Sequence, residues 1–184
     1  MTSDVLIRRA TAADWPALWP VWHEVVAAGD TYTYAPDTPP EVARRLWLPG
    51  PPAATWLAAD EAGRVLGTYL LKPNQPGPGS HVANAGFMVS GAARGRGLGR
   101  LLAEHCLDRA REAGYRAMQF NAVVATNAGA IALWRALGFE VVGTVPGAFR
   151  HPAYGDVDLH VMHRELVRDA PIAWADPHKP EESS

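Results

Sequence analysis

Apolar positions along the chain switch between helical and strand spacing, and the switches mark its elements. Val5-Leu6-Ile7 before Arg8-Arg9 reads as a short strand. Leu18, Val21, Trp22, Val25 and Val26 then recur at helical spacing, with Thr11 or Asp14 as cap and Gly29 as stop. Thr38-Pro39-Pro40-Glu41 carries a second helix start, with proline at the first helical position and a capping-box glutamate, and that helix runs to about Leu48. Thr55 to Ala59 and Val65 to Leu71 read as strands joined by a hairpin turn at Asp60 to Arg64. His81 to Val89 is a further strand. The helix after it places Leu98, Leu101, Leu102 and Cys106 on one face and ends at Ala113-Gly114. Arg116 to Val124 is a strand, Ala128 to about Leu137 a helix capped by Asn127 and closed by Gly138, and Phe139 to Gly143 a strand. Asp156 to His163 alternates Val157, Leu159 and Val161 against Asp156, Asp158 and His160 as the last strand.

The remaining stretches read as connections. Gly29 to Pro36 is an aromatic, hydroxyl-rich loop, and two readings stand for it: a packed surface connection or a substrate-contacting segment. Lys72 to Ser80 is a Pro/Gly loop and the expected mobile segment; Pro146 to Gly155 is predicted as a long loop. Residues 168–184 are polar and proline-containing and read as a disordered tail, which leaves one domain over residues 1–167. The order β-α-α-β-β-β-α-β-α-β-β predicts an α/β fold, a mixed sheet with helices on both faces. Such sheets bind ligands at strand ends where the winding splits, and the end at Val89 is a candidate.

That strand end carries the most distinctive chemistry. After Ser90-Gly91 comes Arg94-Gly95-Arg96-Gly97-Leu98-Gly99, directly before a helix. Glycines let backbone approach a ligand, the first N–H groups of a helix have no internal partner, and arginine adds forked donors suited to phosphate oxygens. A phosphate or pyrophosphate cradle is the reading, against a solvated Gly/Arg turn. It is not a P-loop, since Gly-Lys-Ser/Thr is absent, and Arg100 and Leu102 stand where a dinucleotide fingerprint needs glycine.

Composition narrows the classes. The 184 residues are 48% hydrophobic and 20% charged, ordinary for a soluble globular chain. A net charge of −2 argues against a general nucleic-acid binder. Cys106 is the single cysteine, so no intrachain disulfide forms. The N-terminus lacks a signal-peptide apolar region and no apolar run reaches membrane-spanning length, which makes a cytoplasmic, membrane-free protein the expectation. His160 and His163 fall on opposite strand faces and His151 has no partner at ligand spacing, so no metal site is expected.

Arg94, Gly97 and Gly99 in the order Arg-x-x-Gly-x-Gly resemble the acyl-CoA pyrophosphate loop of the GNAT N-acyltransferase superfamily. Asn127 to Phe139, in which an asparagine opens a helix ending in Leu-Gly-Phe, is similar to a second GNAT segment, one helix and one strand further on. The resemblance implies a mixed, mostly antiparallel central sheet with a splayed strand pair. It also implies acetyl-CoA as co-substrate and direct transfer of acetyl to an amine in a ternary complex. Backbone groups of Met88 and Val89 would pair with the pantetheine arm. N–H groups from Arg94, Gly95, Arg96, Gly97, Leu98 and Gly99, with Arg100, would hold the pyrophosphate, and Asn127 and Trp134 would contact the cofactor. The resemblance would also make a homodimer unsurprising. Asn84 to Val89, with Met118 to Val123, is similar to the N-acetyltransferases of azetidine-2-carboxylate and related proline analogues. That likeness makes Asn84 and Asn121 the candidate catalytic, acceptor-pocket pair and a small-molecule amine the partner.

Two departures bear on the chemistry. Trp134 stands where many members place a tyrosine that protonates the leaving thiolate, and an indole N–H is too weak an acid for that. The strand His81 to Gly86 has no carboxylate where some members place a glutamate base, leaving His81 or water-relayed deprotonation. An acetyltransferase of protein or peptide amines and a non-catalytic acyl-CoA sensor are the rival readings.

Overall fold

One parallel junction between antiparallel halves sets the architecture. In the computed structural model, which describes residues 5–167, the chain runs β1 (Leu6–Arg9), α1 (Trp15–Ala27), α2 (Pro40–Trp47), β2 (Ala54–Ala59), β3 (Val65–Pro73) and β4 (Val82–Val89). It continues through α3 (Leu98–Glu112), β5 (Ala117–Val124), α4 (Ala128–Ala136), β6 (Glu140–His151) and β7 (Gly155–Glu165). This is the element order that the hydrophobic pattern predicts. The strands form a seven-stranded sheet ordered β1-β2-β3-β4-β5-β7-β6, antiparallel throughout except between β4 and β5. The segment 168–184, expected as a tail, lies outside the described residues.

Local chemistry sets the boundaries, and twice departs from expectation. The Asp14 carboxylate accepts from the Thr11 N–H at 2.7 Å and from Arg8 at 2.6 Å, tying β1 to the start of the first helix. Those bonds from Arg8 hold the Asp14 carboxyl well below the usual carboxylate range. Gly29 closes α1 at φ 67°, a conformation that costs only glycine nothing. The capping box expected at Thr38 does not form: its hydroxyl donates to the Ala35 carbonyl at 2.6 Å, and Pro39 occupies the cap position. The threonine serves the preceding turn instead. On α3, Leu98, Leu102 and Cys106 are buried, but Leu101 is 42% exposed. The inward stripe follows i, i+4 spacing and is completed by Ala103, Leu107 and Ala110.

The long loop predicted at 146–155 is mostly strand. β6 continues to His151, with Phe149, Arg150 and His151 paired to Val157, Asp156 and Gly155 of β7. Pro146 and Gly147 lie within a register shift between Val145 and Phe149, and the Gly147 N–H donates to the Asp158 carboxylate at 2.9 Å. β6 is the edge strand, where a proline deprives no neighbour of a ladder bond and a bulge is tolerated.

The central strands are buried on both faces. Leu18, Trp22 and Trp47 of α1 and α2 pack on Leu57, Leu70 and Met88, while Leu102 and Cys106 of α3 pack on Tyr69, Ala83 and Met118. A buried polar chain clamps α2 to the sheet. The Trp47 indole N–H donates to the Thr68 hydroxyl at 3.1 Å, Thr68 donates to the Trp56 carbonyl at 2.7 Å, and the Thr55 hydroxyl donates to the Trp47 carbonyl. Trp47 is 1% exposed and Thr68 fully buried. Thr68→Val keeps the shape but leaves the indole N–H unpaired, and should cost about 1–3 kcal/mol of stability. Urea unfolding checks this; an unchanged midpoint would refute the clamp.

Candidate active site

β4 and β5 meet at only two register positions, Val82 with Ala117 and Ala83 with Met118. At the next step the Asn84 side-chain amide donates to the Gln119 carbonyl at 2.8 Å, and beyond it the strands part. The other edge of β4 stays paired with β3 to its end. Asn74 N–H donates to Val82 O at 2.8 Å and Ser90 N–H to Leu66 O at 2.9 Å, so even-numbered residues of β4 turn their backbone groups to β3. Alternation then turns the backbone groups of Phe87 and Val89 into the gap. Met88, opposite Thr68, spends its backbone on β3 and buries its side chain, though it too lines the cleft. The gap opens into a cleft of about 660 Å³, within the usual range for small-molecule sites.

The glycine-arginine segment forms one end of this cleft. A 3-10 turn at Gly91–Ala93 ends the strand, pinned where the Gly91 N–H donates to the Glu24 carboxylate of α1 at 2.8 Å. Gly95 and Gly97 have φ of 72° and 79°, and Gly97 caps α3 in the left-handed conformation. This backbone aims the helix start at the cleft. The first bond within α3 runs from Leu101 N–H to Gly97 O, so the N–H groups of Leu98, Gly99 and Arg100 have no helical partner. Arg94, Gly95, Gly97, Leu98 and Gly99 line the cleft, and Arg96 and Arg100 do not. Arg100 instead reaches Glu104 one turn along α3 at 3.6 Å.

Asn84, Asn121, Asn127, Val89 and Trp134 line the same cleft, so the residues singled out from the two motif regions come together. Asn127 caps α4, its side-chain oxygen accepting from the Ala130 N–H at 3.2 Å. Trp134 packs against Phe87 and Phe120, ring centroids 5.0 and 4.6 Å away, as a wall of the cleft and part of the core at once. Asn121 lies where the β5–β7 register shifts, donates to Asn74 Oδ1 at 2.7 Å and accepts from Gln119 at 2.9 Å. His81 is exposed on the approach to β4, bonded to the Pro78 carbonyl at 3.0 Å and away from the cleft lining. Among the described residues no group of three His, Cys, Asp or Glu side chains is placed to hold a metal. No helix among them is long and apolar enough to cross a membrane.

The aromatic loop resolves toward the site. The Tyr32 hydroxyl donates to the Phe87 carbonyl at 2.9 Å, and its ring stacks on Tyr34 at 5.6 Å. Burial pushes the Tyr32 hydroxyl far above the usual phenol range, so it stays a neutral donor. Gly86 makes room for it, since a Cβ there would stand 3.0 Å from the Tyr32 oxygen and 3.3 Å from Trp47. Asp30, Lys72 and Phe120 also line the cleft. Asp30 belongs to the loop read as a connection or a substrate-contacting segment and Phe120 to the Met118–Val123 stretch, whereas spacing held no signal for Lys72, which the β3–β4 pairing brings there.

Residues 19–139 match the Acetyltransferase (GNAT) family, and the chain belongs to that family. A GCN5-related N-acetyltransferase from Kribbella flavida is 54% identical, with a TM-score of 0.83 over 88% of this chain and 97% of that one. The phosphinothricin acetyltransferase of Sinorhizobium meliloti, solved in complex with acetyl-CoA, is 25% identical, with a TM-score of 0.77 over 94% of this chain and 97% of that one. The N-acetyltransferase aca1 of Schizosaccharomyces pombe is 38% identical over 125 residues, 66% of this chain and 59% of the yeast protein's length. The L-methionine sulfoximine/L-methionine sulfone acetyltransferase of Pseudomonas aeruginosa is 33% identical over 147 residues, 76% of this chain and 83% of that one.

Gly97 is the residue of the loop that caps α3 in the left-handed region. A Cβ there meets nothing within 4 Å, so the cost of Gly97→Ala is conformational. A non-glycine residue in the left-handed region loses about 1–2 kcal/mol, and relaxing it turns the helix start away from the cleft. Acetyl-CoA affinity of Gly97→Ala should fall about tenfold. Titration calorimetry reads this, and an unchanged dissociation constant would remove the loop from the cofactor site.

Proposed function

We propose that the protein is an N-acetyltransferase that moves the acetyl group of acetyl-CoA onto the amino group of a small amino acid or a toxic analogue of one. The observation that carries this reading is one cleft with two unlike ends. At one end the glycine turns and unpaired N–H groups of the α3 start suit a pyrophosphate. At the other, Asn84 and Asn121 stand beside the Tyr32-Tyr34 loop in a pocket suited to a small polar amine. The likeness to enzymes of methionine sulfoximine and of phosphinothricin supports an amino-acid acceptor. The motif likeness around Asn84 and Asn121 adds azetidine-2-carboxylate and related proline analogues to the candidates.

Acetyl-CoA supplies the activated carbonyl, and the residues supply position. Arg94 and the N–H groups of Gly95 to Gly99 bind the diphosphate. The Val89 backbone, unpaired at the gap, hydrogen-bonds the extended arm and orients the thioester. Catalysis then rests on proximity and on backbone N–H polarisation of the carbonyl as its oxygen gains charge. The amine nitrogen bonds to the carbonyl carbon, the C–S bond breaks, and the amine proton is lost as the sulfur gains one. Trp134 holds the aromatic wall and donates no proton to sulfur. With no carboxylate on β4 and His81 outside the cleft, water in the open cleft carries the proton from the amine.

Thiol release from acetyl-CoA tests the reading against proline analogues, ordinary amino acids, methionine sulfone, phosphinothricin, polyamines and a short peptide. Release with a free amino acid, falling roughly tenfold or more in Asn121→Ala for a lost polar contact, is the expected result. Turnover of the peptide alone would assign a protein acceptor instead. No release at all, with acetyl-CoA still bound, would make the protein a sensor.

A further inference from the structure

Charged side chains lining the cleft are Asp30, Lys72 and Arg94. Arg94 belongs to the phosphate loop. Lys72 pairs with Asn84 across the β3–β4 ladder, five positions before Val89. At about 3.4 Å per residue that separates it from the strand end by roughly 17 Å, too far to serve a diphosphate held there. Its ammonium group has no hydrogen-bond or ion-pair partner among the described residues. Asp30 has none either, so the two charges that line the cleft outside the phosphate loop do not neutralise each other.

The asparagines of this end are partly committed. Asn84 spends one amide hydrogen on Gln119 O, and Asn121 spends one on Asn74. The Asn84 side-chain oxygen has no partner among the described residues, which leaves an acceptor facing the cleft. Residues directly opposite in an antiparallel ladder project on the same face, with Cβ atoms about 5 Å apart. Lys72 and Asn84 thus set a cation beside a neutral acceptor, the polarity of an amino acid's carboxylate and amine reversed.

Resting on the acetyltransferase reading, we propose that Lys72 is the carboxylate-recognition residue of the acceptor pocket. The acceptor class is then free amino or imino acids with an unblocked α-carboxylate. A peptide N-terminus, which carries an amide at that position, is excluded, as is a simple amine. An ammonium–carboxylate bond is charge-assisted, whereas an ammonium facing an amide of the same shape gains only a neutral partner.

L-methionine sulfone and azetidine-2-carboxylate, each assayed beside its α-carboxamide, test the assignment. The wild-type enzyme should prefer the acids by about tenfold or more in kcat/KM. Lys72→Met should raise KM for the acids by a similar factor, leave KM for acetyl-CoA unchanged and abolish the preference. Lys72→Arg should keep it. Equal use of acid and carboxamide by the wild type, or an unchanged acid KM in Lys72→Met, overturns the role of Lys72 and leaves the acetyltransferase reading standing. No thiol release by the wild type with any amine overturns both.

Discussion

Everything at the site depends on β4 and β5 running parallel for two residues and then separating. Parallel strands that stayed paired would satisfy each other's backbone and leave no opening. Asn84 ends the pairing by answering the Gln119 carbonyl with its side chain rather than its main chain. The Gln119 carbonyl is thus satisfied while the ladder stops, and the odd-numbered backbone groups of β4 turn into the gap, where Tyr32 answers the Phe87 carbonyl and the Val89 backbone is left open to a ligand. Because β3 holds the opposite edge of β4 through to Val89, the strand itself does not fray. A rigid strand with one free edge is what an extended, amide-bearing ligand arm requires.

The gap is walled by aromatic side chains from both faces. Trp134, Phe87, Phe120 and Phe139 form a continuous aromatic contact on the α4 side. Tyr32 closes from the α1–α2 side and is fixed to the Phe87 carbonyl. The two layers therefore meet at Phe87, whose ring faces one and whose carbonyl serves the other. Gly86 is bound into the same arrangement, since any side chain there would displace Tyr32 and Trp47 together.

What the chain discloses in one dimension follows from how local each constraint is. The glycine-arginine turn is legible because glycine at positive φ and a helix start are satisfied within six residues, and the α4 cap is legible because Asn127 bonds Ala130 three residues away. Arg96 and Arg100 share that local pattern yet miss the cleft, because a side chain's direction at a turn is not set by spacing. The end of the cleft around Asn84 and Lys72 is a long-range construction. Lys72 stands next to a Pro/Gly run and reads as loop until β4 pairs with it, and Tyr32 reaches a carbonyl 55 positions away. Pro146 misleads for a related reason: only its place on the sheet edge makes a proline compatible with strand.

The same division bears on how the chemistry is distributed. On the acetyltransferase reading, the reacting sulfur lies beside an aromatic wall that carries no titratable group, with Trp134 where an acid would otherwise stand. The titratable groups that line the cleft outside the phosphate loop are Asp30, Lys72 and the two tyrosines, and burial keeps the Tyr32 hydroxyl neutral. A site built this way accelerates transfer by holding amine and carbonyl together rather than by moving protons for them. Its rate should then follow the fraction of acceptor that arrives as free amine, and selectivity is left to whatever fixes the acceptor's other end. That end is where β3 places its lysine.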